Sequence, residues 1–224
     1  MFSGCTSLTA APILSATILA SRCYANMFYG CTNLSTSPKL PATTLEDECY
    51  YGMFWGCANL LVAPELPATT LANECYENMF YSCTGLTTAP ELPATSLAEG
   101  CYRYMFQSCT NLTIAPALPA TTLADECYYF MFYSCDNLIG VPALPATILA
   151  SRCYANMFSF CKKIKISSSR TETYTKEYRI PTSSDIVEDN PSALNGMFAG
   201  TGGTFRSTPK INTTYYLDES NIIV

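Results

Sequence analysis

The chain has 224 residues, of which 49% are hydrophobic and 13% are charged, and its net charge is −6. The apolar content is enough for a sizeable core, whereas the acidic balance argues against nucleic acid and anionic lipid as partners, because both need clustered Lys and Arg. The absence of histidine removes the commonest general base and the commonest metal ligand. No uninterrupted apolar run of about 20 residues predicts a membrane-spanning helix.

A repeat of 26 residues organises residues 1–164, and six complete copies cover residues 5–160. A period of this size predicts stacked units that share one continuous core. The cysteines and methionines mark the register in three series: Cys5, Cys31, Cys57, Cys83, Cys109, Cys135 and Cys161; Cys23, Cys49, Cys75, Cys101, Cys127 and Cys153; and Met1, Met27, Met53, Met79, Met105, Met131 and Met157.

Each repeat is predicted to contain a short strand and then a short helix. Leu60–Ala63 is apolar and ends at Pro64, which predicts a brief strand. A spacing of four residues predicts the apolar stripe of a helix, with Thr69 or Thr70 as its cap. The residues in that stripe are Leu71, Cys75, Met79 and Cys83.

Strands stack about 4.8 Å apart and helices about 8–10 Å apart, so this combination is predicted to bend the array. The expected fold class is an α/β repeat solenoid. It would be a right-handed leucine-rich-repeat arc, with short parallel strands on the concave face, short helices on the convex face and a C-terminal β-containing cap.

Residues 165–224 are predicted to be a C-terminal insertion followed by a divergent capping repeat. Lys162–Ile166 predicts a strand, and Thr171–Ile180 alternates between polar and apolar residues, which predicts an inserted hairpin or loop. Ala193–Phe198 aligns with Cys49–Phe54 and predicts a last partial repeat. Because the first residue lies inside the motif, we expect the chain to be a fragment of a longer protein.

The recurring string Met-Phe-x-x-Cys-x-x-Leu-x-x-Ala-Pro-x-Leu-Pro resembles the BspA-like leucine-rich repeats. This is the treponemal type of repeat, found in surface proteins of Bacteroides and other anaerobes. The resemblance covers about residues 1–164 and, weakly, residues 193–211. It implies a secreted or cell-surface binding module with no catalytic residues to carry over. The residues that match the family pattern include Phe80, Cys83, Leu86, Ala89 and Pro90.

The cysteines have several possible roles. On the predicted helix, Cys75 and Cys83 would lie about 12 Å apart, beyond the Cα separation of about 7 Å that a disulfide tolerates. No histidine or other base accompanies any cysteine. We therefore favour free, buried thiols that act as small hydrophobic residues, with a disulfide, a zinc site or a reactive thiol as the open alternatives.

The residue after each phenylalanine is the first candidate for ligand binding. The Met and Phe columns predict core ladders, and the Tyr after the second Cys predicts semi-buried packing. Gln107 and Ser159 occupy the column after Phe in two repeats, so the core does not require an aromatic residue there. A partly exposed aromatic strip could stack on sugars or on a partner protein, and packing at the edge of the core is the alternative. Its members are Tyr29, Trp55, Tyr81 and Tyr133.

A second candidate surface is the variable position before the second Leu, represented by Lys39, Glu65 and Glu91. Acidic residues near each predicted helix start are expected to interact with the helix dipole, and a calcium-binding ladder is the alternative. These acidic residues are Glu46, Asp47, Glu48, Glu74, Glu99, Asp125 and Glu126.

The expected function is a non-catalytic extracellular module for binding or adhesion, which recognises a protein or glycan ligand through the repeat surface. We expect a monomer with no cofactor and no metal, and no nucleic-acid partner. The alternative is a structural spacer within a larger cell-surface protein. An enzyme is disfavoured, because carboxylates in exposed, regular columns are poorly placed for tuned pKa values.

Overall fold

The computed structural model describes residues 1–182, 185 and 190–224. β1 pairs with β5 in parallel, and β2 and β3 both pair antiparallel with the central β4. The described residues contain no helix that could span a membrane. The strands are β1 (Gly140–Val141), β2 (Ile166–Ser167), β3 (Tyr174–Ile180), β4 (Thr213–Asp218) and β5 (Ile222–Ile223).

The predicted α/β repeat solenoid is wrong, because the described residues contain no α-helix. Where helices were predicted, the backbone forms turn segments in which every fourth residue has a positive φ. In one of them φ is 53° at Glu74, 56° at Asn78 and 56° at Ser82, whereas every residue of an α-helix needs φ near −63°. The turn segments are residues 21–30, 47–56, 73–82, 99–108, 125–134, 151–160 and 191–200.

Along a turn segment, N–H groups alternate between donating to a carbonyl of the same segment and donating to a carbonyl of the next repeat. The Glu77 N–H donates to the Glu74 carbonyl of the same segment, at 3.1 Å, whereas the Asn78 N–H donates to the Arg103 carbonyl of the next repeat, at 3.0 Å. The phenylalanine rings of successive repeats consequently stack with centroids about 5.6 Å apart, as for Phe54 and Phe80. This spacing is too small for packed helices, which need about 8–10 Å, so the expected cause of a bend is absent from the turn segments.

The predicted strand is reduced to a single-residue bridge in successive repeats, and the same column reaches two residues at β1. Val62 bridges in parallel to Thr88, and Thr88 bridges in turn to Ile114. The proline that follows, Pro64 in the first of these repeats, has no N–H with which to extend a ladder. A second column of bridges includes Thr44 with Thr70 and Ser96 with Thr122.

The core consists of columns of identical residues from successive repeats. The Met and Phe columns are buried as predicted, and Met79 and Phe80 are both 0% exposed. The tyrosine column is more deeply buried than predicted, since Tyr76 and its equivalents are 1% exposed and stack with centroids 5.7–5.8 Å apart. Burying each such ring contributes about 1.5–3 kcal/mol, so every repeat depends on its neighbours for stability. The fully buried tyrosines of this column are Tyr50, Tyr76, Tyr102, Tyr128 and Tyr154.

All thirteen cysteines are free thiols, and only Cys5 and Cys23 are exposed. The prediction of core thiols is confirmed for the other eleven. The separation of about 12 Å that was expected between Cys75 and Cys83 assumed a helix. It does not apply, because the segment between them is not a helix.

The C-terminal part closes the array through long-range contacts. Residues 191–200 stack on the preceding turn segment, since the Phe158 N–H donates to the Met197 carbonyl at 3.0 Å and the rings of Phe158 and Phe198 stack 5.7 Å apart. That this region is a divergent capping repeat stays a prediction. β2 and β3 do not form a hairpin with each other, because β4 lies between them. Asn221 is buried and donates to the Ile139 and Lys163 carbonyls, which holds β5 against β1. The domain boundary after residue 164 stays a prediction.

Candidate functional site

The turn segments form a surface that we call the turn face. In each group of four residues, one pair lies in the core, as Met79 and Phe80 do. The other pair lies on the opposite side of the backbone, as Tyr81 and Ser82 do, and both of these are partly exposed. The turn face comprises residues 22, 25, 26, 29 and 30 and their equivalents, which recur every 26 residues. Equivalent residues of successive repeats lie next to one another and form columns.

Three of the predicted binding residues form a continuous strip on the turn face. Tyr29 is 42% exposed, and Trp55 and Tyr81 are half-buried. The rings of Tyr29 and Trp55 lie 5.4 Å apart at an interplanar angle of 61°, and those of Trp55 and Tyr81 lie 4.5 Å apart. Gln107 ends the strip by donating from Nε2 to the Tyr81 hydroxyl at 3.3 Å. We call Tyr29, Trp55 and Tyr81 the aromatic strip.

The fourth predicted aromatic residue, Tyr133, belongs to a separate cluster. Its ring lies 5.1 Å from that of Phe130 and 5.3 Å from that of Phe160. Tyr104 and Tyr129 complete the cluster. The sequence did not predict these four neighbours, because a helix was expected in this part of each repeat. Tyr104, Phe130 and Phe160 instead have a positive φ, which is unusual for aromatic residues.

A charged network on the turn face was also missed. Arg103 contacts Glu74 at 2.8 Å, Glu77 at 2.6 Å and Glu126 at 2.6 Å. Gly100 leaves room for this arrangement, since a Cβ at that position would lie 3.3 Å from Glu74 Cγ and 3.6 Å from Arg103 Cζ. The guanidinium therefore joins its own repeat to carboxylates of the repeats on either side, Glu74 and Glu77 of one and Glu126 of the other.

Burial sets the electrostatics of this network. The side chains of Glu77 and Arg103 are 6% and 21% exposed. Burial raises the pKa of Glu77, and the opposing effect of Arg103 does not cancel this. Burial alone would lower the pKa of Arg103, but its hydrogen bonds to Glu77 and Glu126 outweigh burial and hold the pKa above its ordinary value. Arg103 is therefore charged at any physiological pH, and it compensates a buried carboxylate.

An open cleft of about 420 Å³ lies next to this network. Arg22 pairs with Glu48 across the cleft at 2.7 Å. We call it the ionic cleft, and it is lined by Arg22, Ala25, Asn26, Glu48, Tyr51, Glu74, Glu77 and Arg103.

The ionic cleft and the aromatic strip meet at Gly52, where φ is +55°. A Cβ on Gly52 would lie 2.5 Å from Asn26 Oδ1 and 3.7 Å from Trp55 Cε3. The Asn26 amide and the Trp55 ring therefore flank one glycine. Sequence reasoning could have noticed Gly52, because glycine favours a positive φ.

Lys39, Glu65 and Glu91 lie on a different surface. Each is exposed and sits between two prolines of its own repeat, and together they border a row of open clefts. Lys39 and Glu65 share a cleft of about 300 Å³, and Glu65 and Glu91 share one of about 450 Å³. None of the residues that line these clefts belongs to the turn face.

The acidic residues predicted near helix starts have other roles. Asp47 Oδ1 accepts the Asn73 N–H at 3.0 Å, and Asp125 Oδ1 accepts the Ser151 N–H at 2.9 Å, so these side chains join repeats. Glu48, Glu74 and Glu126 occupy positions with a positive φ, where no helix dipole exists. In the described part of the chain, no group of three His, Cys, Asp or Glu residues could hold a metal ion.

Comparison of the chain with protein-family models, with curated proteins and with solved structures found no match. The geometry of the turn face is therefore the basis of the functional argument.

Proposed function

We propose that the chain is a non-catalytic extracellular binding module that recognises a protein or glycan through the aromatic strip. The observation that carries the proposal is the partial exposure of Tyr29, Trp55 and Tyr81 beside a core that already buries every neighbouring phenylalanine. Contiguous exposed aromatic surface is typical of interaction sites, and Trp and Tyr are enriched among the residues that dominate binding energy.

The backbone beneath the strip supports this function because it is held from two directions. The Trp55 N–H donates to the Gly52 carbonyl at 3.1 Å, and the Gly56 N–H donates to the Tyr81 carbonyl at 2.8 Å. Side chains on such a framework lose little conformational freedom when a ligand binds, and preorganisation of this kind raises affinity. The resemblance to BspA-like repeats supports the proposed position at a cell surface.

The test is a binding screen of the purified chain on arrays of glycans and of extracellular-matrix proteins, with the Tyr29→Ala/Trp55→Ala/Tyr81→Ala variant beside it. We expect selective binding that this variant loses. A Tyr133→Ala variant controls for aromatic residues elsewhere on the turn face, and a Lys39→Ala/Glu65→Gln/Glu91→Gln variant tests the proline-lined clefts. Thermal unfolding of each variant checks that the core is intact.

Two results would contradict the proposal. Binding that the strip variant keeps and the Lys39 variant loses would transfer the site to the proline-lined clefts. Absence of binding to every array would favour the alternative, a spacer that positions another domain. The exact recurrence of residues 16–28 at 146–158 is the observation that favours a spacer, since repetition without surface variation is enough for that role.

A further inference from the structure

We infer that the ligand is a neutral glycan, with one sugar ring against Trp55 and its hydroxyl groups in the ionic cleft. This inference rests on the proposed function, and it adds the chemical class of the ligand and the polar half of the site. Its basis is the juxtaposition at Gly52 of an aromatic ring and a polar cleft with unused hydrogen-bonding capacity.

Several polar groups of the ionic cleft have capacity for a ligand. Among the described residues, the Asn26 side chain has no hydrogen-bond partner. Glu48 pairs with Arg22 through Oε2, so its Oε1 can accept from a ligand. Glu74 pairs with Arg103 through Oε1, so its Oε2 can do the same. An amide offers both donors and an acceptor, and carboxylates accept. Sugar hydroxyls, which donate and accept at once, satisfy such a mixed set.

The charge of the cleft favours a neutral ligand. Its two arginines, Arg22 and Arg103, face three carboxylates, those of Glu48, Glu74 and Glu77, so one negative charge is left over in a chain whose net charge is −6. Sulfated or uronic-acid glycans would be repelled. A cationic ligand would have to compete with Arg103, which already contacts Glu74 and Glu77 at 2.8 and 2.6 Å.

The position of Gly52 explains how one sugar can reach both halves of the site. Because the glycine has no side chain, the Asn26 amide occupies the space beside its backbone, and Trp55 Cε3 lies near the same point. A pyranose stacked on Trp55 can therefore present hydroxyls to Asn26 and Glu48. An aromatic ring beside planar polar groups matches the two kinds of surface that a sugar carries.

Arg103 acts as a positioning residue in this arrangement. It holds Glu74 and Glu77 in place from the next repeat and does so from a site that is largely buried. Fixed carboxylates need no reorganisation when a ligand arrives, which preserves affinity.

The chain contains a matched control for this site. Asn156 occupies the position equivalent to Asn26, within a segment of identical sequence, residues 146–158. Its Oδ1 accepts from the Ser159 hydroxyl at 3.3 Å and lies over Gly196 of the last partial repeat. Asn156 therefore shares the local sequence of Asn26 but lines neither the cleft nor the aromatic strip.

The experiment is isothermal titration of the full chain with short neutral oligosaccharides of glucose, mannose, galactose and N-acetylglucosamine, and with a heparin-derived oligosaccharide as the anionic probe. We expect saturable binding of at least one neutral series and none of the heparin fragment. Asn26→Ala should weaken binding about fivefold, as expected for one lost hydrogen bond. Trp55→Ala should weaken it about thirtyfold, and Asn156→Ala should leave it unchanged.

Tighter binding of the heparin fragment, or equal effects of Asn26→Ala and Asn156→Ala, would overturn this inference. If a matrix protein binds through the aromatic strip while no neutral sugar binds, the proposed function stands and the neutral-glycan inference fails. If nothing binds in either experiment, both fail. Because Asn26 lies outside the core, its variant tests the site even if Trp55→Ala unfolds the chain.

Discussion

The thiol of Cys83 donates a hydrogen bond to the carbonyl oxygen of Phe54, at 3.0 Å, across the boundary between two repeats. The same carbonyl accepts the Cys57 N–H at 3.0 Å, so both of its lone pairs are used. The thiol is thus a weak donor as well as a small apolar side chain, and it joins neighbouring turn segments. Equivalent bonds run from Cys57 to Phe28, from Cys109 to Phe80, from Cys135 to Phe106 and from Cys161 to Phe132.

Replacing one of these thiols should destabilise the whole array. We expect Cys83→Ala to lower the free energy of unfolding by about 1–2 kcal/mol, through a small cavity and one lost weak hydrogen bond. Cys5→Ala, at an exposed position, should change it by less than about 0.5 kcal/mol. Urea denaturation under reducing conditions measures both, and equal losses would contradict the assigned role.

Thiol labelling should distinguish the two exposed cysteines from the eleven buried ones. In the native protein we expect an alkylating reagent to modify Cys5 and Cys23 quickly. The buried thiols should react only through unfolding, because they are inaccessible and burial raises their pKa, to about 12 for Cys49 and Cys57. Peptide mass spectrometry gives the rate at each site. Rapid native labelling of Cys109 would show that the core column is open.

The array should lose stability at alkaline pH. Burial raises the pKa of Cys57 from 9.0 to about 12 and raises that of Cys153 to the same value. The unfolded chain therefore releases protons at a pH where the folded chain retains them. This stabilising contribution is complete below pH 9 and is lost as the pH rises toward 12, by about 1.4 kcal/mol per thiol for each pH unit. A urea midpoint that stays constant between about pH 8 and about pH 10 would contradict this.

Removing Arg103 should be costly, because Glu77 would remain buried without a counter-charge. We expect Arg103→Met to lower the free energy of unfolding by about 3 kcal/mol and Arg103→Met/Glu77→Gln to recover part of that loss. Arg152→Met is the control, since Arg152 is 52% exposed and pairs with Glu126 at 3.1 Å, and it should cost less than about 0.5 kcal/mol. Chemical denaturation of the four proteins tests this, and a cost for Arg103→Met no larger than that of the control would refute the network.

The repeat register and most of the core could be predicted from the sequence, but the backbone that carries them could not. A column such as Met79 has to be buried in any stacked array. The spacing of four residues fits both a helix and a ladder of turns, so periodicity alone did not decide between them. The overlooked signal for the turns was the presence of Gly52 and Asn78 at positions that recur every four residues with a positive φ. Glycine and asparagine are the residues that most readily adopt such a φ.

The candidate site was predictable only in part, for the same reason. The aromatic strip could be predicted, because the sequence column that contains it varies between aromatic and polar residues. The ionic cleft did not, because it depends on which residues a turn segment places opposite the core. The pairing of β4 with β3 and of β5 with β1 was also out of reach, since β1 and β5 lie about 80 residues apart and no local pattern encodes such a contact.

Both binding proposals depend on the turn segments, because the turn face exists only if the backbone forms turns and not helices. Ser82, Ser108 and Ser134 share one column, have φ between 56° and 60° and are partly exposed. In a helix, Ser→Gly would cost stability, whereas at a positive φ glycine relieves strain. The measurement is the free energy of unfolding of Ser82→Gly/Ser108→Gly/Ser134→Gly, with Gly56→Ala, at φ +73°, as the opposite control. We predict a gain of about 0.5 kcal/mol per serine replaced and a loss of about 1 kcal/mol for the control; a loss for the serine variant would contradict the account.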